Sequence, residues 1–142
     1  MTPILFWPLL TLTCGYALVR GGFYERAVAL ICLAATFVSI GVHPSHGRYE
    51  DVAWGELIVD SFVLTSFIAI ALLSDRFWPL WVAGLQLTSS LGHFFKIIDP
   101  DLLPHAYAGA IRFWSYPILI ILFVGSWRSY RRRLEERRLR TA

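Results

Sequence analysis

Long apolar stretches alternate along the chain with short clusters of charged residues, glycine and proline. A helix that crosses a membrane needs about 20 mostly apolar residues. Five stretches fit this description, although the first is shorter than the others. The pattern predicts an all-α polytopic membrane protein with a five-helix transmembrane domain over residues 1–127 and a basic cytoplasmic tail over residues 128–142. The predicted spans are 4–19, 24–42, 54–74, 77–98 and 106–127.

The composition supports a chain embedded in lipid. Of the 142 residues, 56% are hydrophobic and 16% are charged. Soluble domains average about 45–50% apolar and about 25% charged residues. The two cysteines, Cys14 and Cys32, both lie in apolar stretches, so we expect packing roles for them and no disulfide framework.

The distribution of basic residues predicts the orientation. With five spans and a cytoplasmic C-terminus, ten basic residues lie inside: Arg20, Arg26, Arg76 and the seven arginines of the tail. Only Arg48, Lys96 and Arg112 then lie outside. Because cytoplasmic loops carry the excess of lysine and arginine, the sequence predicts an N-out, C-in topology. The first span has no basic residue ahead of it and no small-residue cleavage site after it, so we expect it to be retained.

Ionisable residues inside the predicted spans are the main functional candidates, because a charge at membrane depth requires a partner or water. Asp60 in the third span, His93 in the fourth and Arg112 in the fifth are predicted at similar depths near the outer surface. Our hypothesis is that these three converge in an outward-facing polar pocket, with Glu56, Lys96 and Tyr116 nearby. Three interpretations stay open: a structural ion pair between Asp60 and Arg112, a ligand or proton site, and a contact with another subunit.

The fourth span has three distinct faces. At 100° per residue, its polar residues form one stripe, its small residues form another roughly opposite, and large apolar residues lie between them. Small residues allow helices to approach closely, so we expect this helix at the centre of the bundle. The stripes are Gln86, Ser89, Ser90 and His93; Gly84, Thr88 and Gly92; and Leu87, Leu91, Phe94 and Ile98.

No motif of a known enzyme class is present. Ser89 and Ser90 lie within one turn of His93, as a nucleophile and a base would, but this spacing arises easily by chance. The chain lacks GxSxG and HExxH patterns. The sequence therefore names no catalytic residue.

The sequence requires no cofactor, although two possibilities can be stated. His43 and His46, with Glu50 and Asp51 nearby, could hold a divalent ion, but their spacing matches no fixed zinc pattern. His93 could ligate a haem or a pigment, and a bis-histidine site would need a second protomer or subunit.

The tail is strongly basic, with seven arginines and two glutamates over residues 128–140. Arg131 with Glu135, and Arg132 with Glu136, have the i, i+4 spacing of a helix that continues from the last span. Anionic lipid headgroups attract such a segment by about 1 kcal/mol per basic residue. Nucleic-acid binding is not expected, because the tail contains no folded recognition module.

Residues 74–81 (SDRFWPLW) and 113–117 (FWSYP), with Gly92-His93, Asp99-Pro100 and Tyr107, form a recognisable set in the C-terminal half. With these residues the chain resembles a group of small uncharacterised multi-pass inner-membrane proteins of bacteria. The resemblance implies a bacterial inner membrane and no particular chemistry. Because the sequence predicts no domain outside the bilayer and few buried polar groups, we expect a non-enzymatic accessory, scaffolding or assembly subunit of a larger membrane complex. The alternative is a small transporter, or a ligand- or lipid-binding membrane protein that uses the outward pocket.

Overall fold

The computed structural model describes the backbone of residues 4–42, 49–99 and 104–142, and the side chains of 4–41, 54–95, 97–99 and 113–142. Within these residues there are five α-helices and no β-strand, which confirms the all-α prediction. The helices are α1 (Phe6–Arg20), α2 (Phe23–Val42), α3 (Tyr49–Leu73), α4 (Trp78–Ile98) and α5 (Pro104–Thr141).

The helices form an up-and-down bundle. Each one packs against the next along the chain, and α5 closes the ring by packing against α1 and α2. In the part of the chain that the structure describes, α4 contacts only α3 and α5. The expectation that α4 lies at the centre is therefore wrong, since α2 and α5 have more helical neighbours than α4 does.

The buried core is narrow and apolar. Each helix contributes at least one side chain that is at most 2% exposed: Leu10, Val28, Phe67, Val82 and Leu122. Val82 and Leu122 are fully buried. Many large apolar side chains lie on the outside instead. The most exposed include Phe23, Phe62, Leu72, Leu73 and Leu139. Such extensive apolar exposure is unfavourable in water. It is typical of a surface that contacts lipid or another protein.

Two helical segments, Phe23–Gly41 and Trp54–Leu73, are long and apolar enough to cross a membrane. In the second segment the exposed hydroxyl groups are paired with the helix itself: Ser61 Oγ donates to the carbonyl of Leu57 at 2.7 Å, and Thr65 Oγ1 donates to the carbonyl of Ser61 at 2.8 Å. Such i to i−4 hydrogen bonds satisfy a hydroxyl group without water. This helix therefore presents a surface compatible with the interior of a bilayer.

Helix α5 extends through the predicted end of the last span at residue 127. It contains Pro117 and runs for 38 residues to Thr141. At 1.5 Å per residue this is about 57 Å, well beyond the roughly 30 Å of a hydrocarbon core. The basic tail is thus a helical continuation of α5.

Candidate functional site

The main candidate site is a carboxylate–histidine cluster formed by Glu56, Asp60 and His93. Glu56 and Asp60 lie one turn apart on α3, and His93 faces them from α4. The Nε2 atom of His93 is 3.3 Å from Oδ2 of Asp60, and its Nδ1 atom is 3.6 Å from Oε2 of Glu56. The three side chains are 12–22% exposed. The cluster thus joins the two helices in a largely buried setting.

Two polar side chains of α4 complete the surroundings of Asp60. Ser89 Oγ donates to Oδ2 of Asp60 at 3.5 Å, and the side chain of Gln86 lies close to this carboxylate. Gln86, Ser89 and Ser90 are each 7% exposed. The polar stripe of α4 therefore faces inward, towards Asp60.

The position of His93 between two carboxylates has a chemical consequence. A neutral imidazole carries one N–H, whereas the cluster places an acceptor beside each ring nitrogen. The imidazole therefore bridges the two carboxylates of α3, and in its neutral form at most one of its ring nitrogens is a donor.

The other predicted members of the pocket lie elsewhere or outside the described side chains. The side chains of Lys96 and Arg112 are not among those described, so the ion pair of Asp60 with Arg112 stays a prediction. Tyr116 packs edge-to-face on Phe6 of α1, with ring centroids 6.1 Å apart. Within the described side chains no contact joins Tyr116 to the carboxylate–histidine cluster.

The candidate metal ligands His43, His46, Glu50 and Asp51 also lie outside the described side chains. Among the residues that are described, no group of three His, Cys, Asp or Glu side chains could hold a metal ion. The serines next to His93 have other surroundings: Ser89 donates to Asp60, and the buried Oγ of Ser90 has no hydrogen-bond partner among the described groups. The described geometry contains no pair of serine and histidine arranged for nucleophilic attack.

A second buried charge lies at the opposite end of the bundle and was missed by the sequence analysis. Glu25 on α2 is 1% exposed, and its Oε1 atom is 3.5 Å from Nη1 of Arg76, in the connection between α3 and α4. Gly22 lies beside the same carboxylate, since a Cβ atom built there would be 2.8 Å from Oε2 of Glu25. The available signal was that Glu25 is an acidic residue within a segment whose neighbours, Arg20 and Arg26, are basic.

We call this end of the bundle the basic end, because Arg20, Arg76 and the C-terminal part of α5 meet there. Arg20 donates to the hydroxyl of Tyr130 and lies over its ring, and Arg133 donates to the carbonyl of Arg20. Tyr24 Oη donates to the carbonyl of Leu73 at 2.8 Å. These contacts bind the helical tail and the α3–α4 connection to the first two helices.

A cavity of about 450 Å³ opens at the basic end between the start of α4 and α5. We call it the arginine cavity. Its basic residues are Arg76, Arg128 and Arg132, its acidic residue is Asp75, and the rest of its wall is mainly apolar.

No protein-family model matches the chain, and no curated protein or solved structure matches it either.

Proposed function

We propose that this chain is a five-span protein of the bacterial inner membrane, with an outer N-terminus and a cytoplasmic C-terminus, that serves as a non-enzymatic accessory, scaffolding or assembly subunit of a larger complex. The five spans and the orientation rest on the hydropathy pattern and on the ten basic residues on one side against three on the other. The bacterial membrane rests on the resemblance of residues 74–81 and 113–117.

A membrane location is supported by the exposed apolar side chains and by the helix-paired hydroxyl groups. Phe62, in the middle of α3, and Phe37, in the second half of α2, are 72% and 67% exposed. Burying such side chains is worth about 1.5–3 kcal/mol each, so a bilayer or a partner is their favourable surroundings.

The observation that carries the subunit proposal is the outward position of the small residues of α4. Gly84 and Thr88 are exposed, and a Cβ atom built at Gly84 would meet nothing within 4 Å. Thr88 Oγ1 donates to the carbonyl of Gly84 at 3.1 Å, which leaves the face without a free hydroxyl hydrogen. We call Gly84 and Thr88 the outer small-residue face. Small residues spaced in this way let a second helix approach closely in lipid, where packing drives association.

The occupant we propose for the outer small-residue face is a transmembrane helix of a different protein. Trp81 and Leu91 flank the face and are 62% and 46% exposed. A helix of a partner subunit that packs on Gly84 and Thr88 would bury both of these large side chains, because small residues let two helices approach closely in lipid.

The test is purification from native membranes in a mild detergent, with the intact particle weighed by native mass spectrometry. We expect a mass well above that of a small homo-oligomer of this chain. The variant Gly84→Leu should lose the partner, and Ile58→Leu, at an exposed position of α3, should keep it. A particle that contains only this chain, in wild type and both variants, contradicts the proposal.

A second candidate function is favoured by the position of His93 between Glu56 and Asp60. An imidazole between two carboxylates is a group that can exchange protons, as small proton-linked transporters require. The outward pocket predicted from the sequence would then give access to the cluster. Arg112 would contribute a fixed positive charge.

This second candidate is tested with protein reconstituted into vesicles that contain a pH-sensitive dye. A proton-linked transporter dissipates an imposed pH gradient faster than empty vesicles do, and His93→Gln abolishes the difference while Ser61→Ala retains it. If Asp60 and Arg112 are only a structural pair, Asp60→Asn and Arg112→Gln each lower stability and the double variant recovers part of the loss. Vesicles with wild-type protein would then keep the gradient as empty ones do.

A further inference from the structure

We propose that the arginine cavity is a binding site for one anionic phospholipid, with the phosphate held by Arg128 and Arg132 and an acyl chain against the apolar wall. The inference rests on the membrane location but is independent of any partner subunit. It is also more specific than general attraction of headgroups to the tail, because it assigns the phosphate to a defined cavity.

The charge of the cavity favours an anion. Arg128 and Arg132 lie one helical turn apart on α5, and both line the cavity. Arg76 lines it from the α3–α4 connection, where Glu25 already pairs with this guanidinium at 3.5 Å. Asp75 is the acidic residue of the wall and is exposed. The lining therefore keeps an excess of positive charge, and arginine is the side chain best suited to bind a phosphate through two hydrogen bonds.

The remaining wall is apolar, which distinguishes a lipid from a free phosphate. Phe77 and Trp78 contribute from the start of α4, and Ile120, Ile121 and Val124 contribute from α5. Val124 precedes Arg128 by one turn, so the apolar and basic parts of the wall follow each other along α5. A phospholipid has the same order of groups, a charged head followed by an apolar chain, and basic pockets between transmembrane helices at this depth bind such headgroups.

The close approach of Trp78 to α5 depends on Gly125. A Cβ atom at Gly125 would come within 3.1 Å of the indole ring, so glycine lets the ring pack directly against α5. The ring thereby forms part of the wall of the cavity.

The N-terminus of α4 also favours an anion in the arginine cavity. The helix begins at Trp78, its N-cap residue Phe77 makes no side-chain capping bond, and its first turn contains no acidic residue. The N-terminus of a helix carries a partial positive charge and free N–H groups. The cavity thus combines this helix end with the arginines of α5, at the end of the bundle predicted to face the cytoplasmic leaflet.

The experiment uses the full-length protein in detergent and measures bound lipid by native mass spectrometry during titration with phosphatidylglycerol. Phosphatidylcholine with the same acyl chains and glycerol 3-phosphate are the comparison ligands. The charge variant is R128Q/R132Q, and the matched control is R137Q/R138Q, which removes two arginines of the same helix that do not line the cavity. Val124→Phe keeps every arginine and fills the apolar part.

We expect wild type and R137Q/R138Q to retain one phosphatidylglycerol molecule with affinities within twofold of each other. R128Q/R132Q and Val124→Phe should each bind it at least tenfold more weakly, and Val124→Phe provides the test if the charge variant does not fold. Equal weakening in R137Q/R138Q would show a diffuse charge effect and overturn the proposal. Glycerol 3-phosphate that binds as tightly as the lipid would indicate a free-phosphate site, and equal binding of phosphatidylcholine would exclude anion selectivity; both overturn the proposal.

Discussion

The carboxylate of Glu25 is buried beneath the guanidinium of Arg76, with 3.5 Å between Oε1 and Nη1 and side-chain exposures of 1% and 34%. The two residues are far apart in sequence and join α2 to the connection between α3 and α4. Arg76 can reach solvent, whereas Glu25 cannot. Loss of either partner should therefore have unequal effects on stability.

The first prediction concerns this inequality. Arg76→Gln leaves a carboxylate buried without its counter-charge and should lower the free energy of unfolding by about 1–3 kcal/mol. Glu25→Gln leaves an arginine that can be solvated and should cost at most about 1 kcal/mol. The measurement is thermal unfolding in detergent. Asp75→Asn, at the exposed neighbouring position, is the control and should leave the transition unchanged.

The double variant Glu25→Gln with Arg76→Gln completes the comparison. Because it removes both charges, its unfolding temperature should exceed that of Arg76→Gln alone. Equal losses for the two single variants, with no recovery in the double variant, would mean that Glu25 is stabilised by groups other than Arg76.

The second prediction concerns the coupling of His93 with Asp60. Asp60→Asn and His93→Gln should each destabilise the chain by about 1–3 kcal/mol, because each weakens the largely buried polar contact between α3 and α4. Their effects should not add, and a double-mutant cycle should give a coupling of about 0.5–3 kcal/mol. Ser61→Ala, which follows Asp60 on the exposed side of α3, should change stability by less than about 0.5 kcal/mol. Strict additivity would show that the contact at 3.3 Å contributes nothing to stability.

The third prediction compares one substitution at two glycines. Gly125→Ala introduces a Cβ atom 3.1–3.3 Å from the indole of Trp78 and should lower stability, because overpacking costs about 1–3 kcal/mol. Gly84→Ala introduces the same group into open space and should be neutral or stabilising by up to about 1 kcal/mol, through helix propensity. The difference in unfolding temperature between the variants is the readout. A loss at Gly84 in the isolated protein as large as that at Gly125 would contradict the open position of Gly84.

The fourth prediction concerns topology. A fluorescent protein fused after residue 142 should fluoresce, because the proposed C-terminus is cytoplasmic. Alkaline phosphatase fused at residue 102, in the connection before α5, should be active, because this connection is proposed to lie outside. Phosphatase fused at residue 75 should be inactive. Activity at both 75 and 102 would rule out a crossing by α4 and with it the five-span arrangement.

The hydropathy pattern was sufficient to predict the positions of the helices, because helix formation depends on residues that are near each other in the chain. A run of apolar residues between polar clusters must satisfy its backbone hydrogen bonds within itself, so each predicted stretch became a helix. The predicted and observed bounds agree closely for α2, where residues 24–42 compare with Phe23–Val42. The helical continuation into the tail was likewise predictable, from the i, i+4 pairing of Arg131 with Glu135.

The contacts between helices required the tertiary structure. Helical periodicity showed that Glu56 and Asp60 share a face and that Ser89 and His93 share another, but it could not show that these two faces meet. It also misplaced α4, because a small-residue stripe predicts close packing without naming the helix that supplies it. In the structure Gly84 faces outward, and the polar stripe of α4 contacts α3 instead.

The sequence by itself therefore determined the all-α class, the positions of the helices and the gathering of arginine towards one end, since these depend on composition and on near neighbours in the chain. Only the tertiary structure decided which side chains pair across helices. His93 with Asp60 and Glu25 with Arg76 are such pairs, and the arginines of α5 likewise come to line one cavity with the start of α4. They depend on the rotation and order of the helices around the ring, which arise from the packing of all five together.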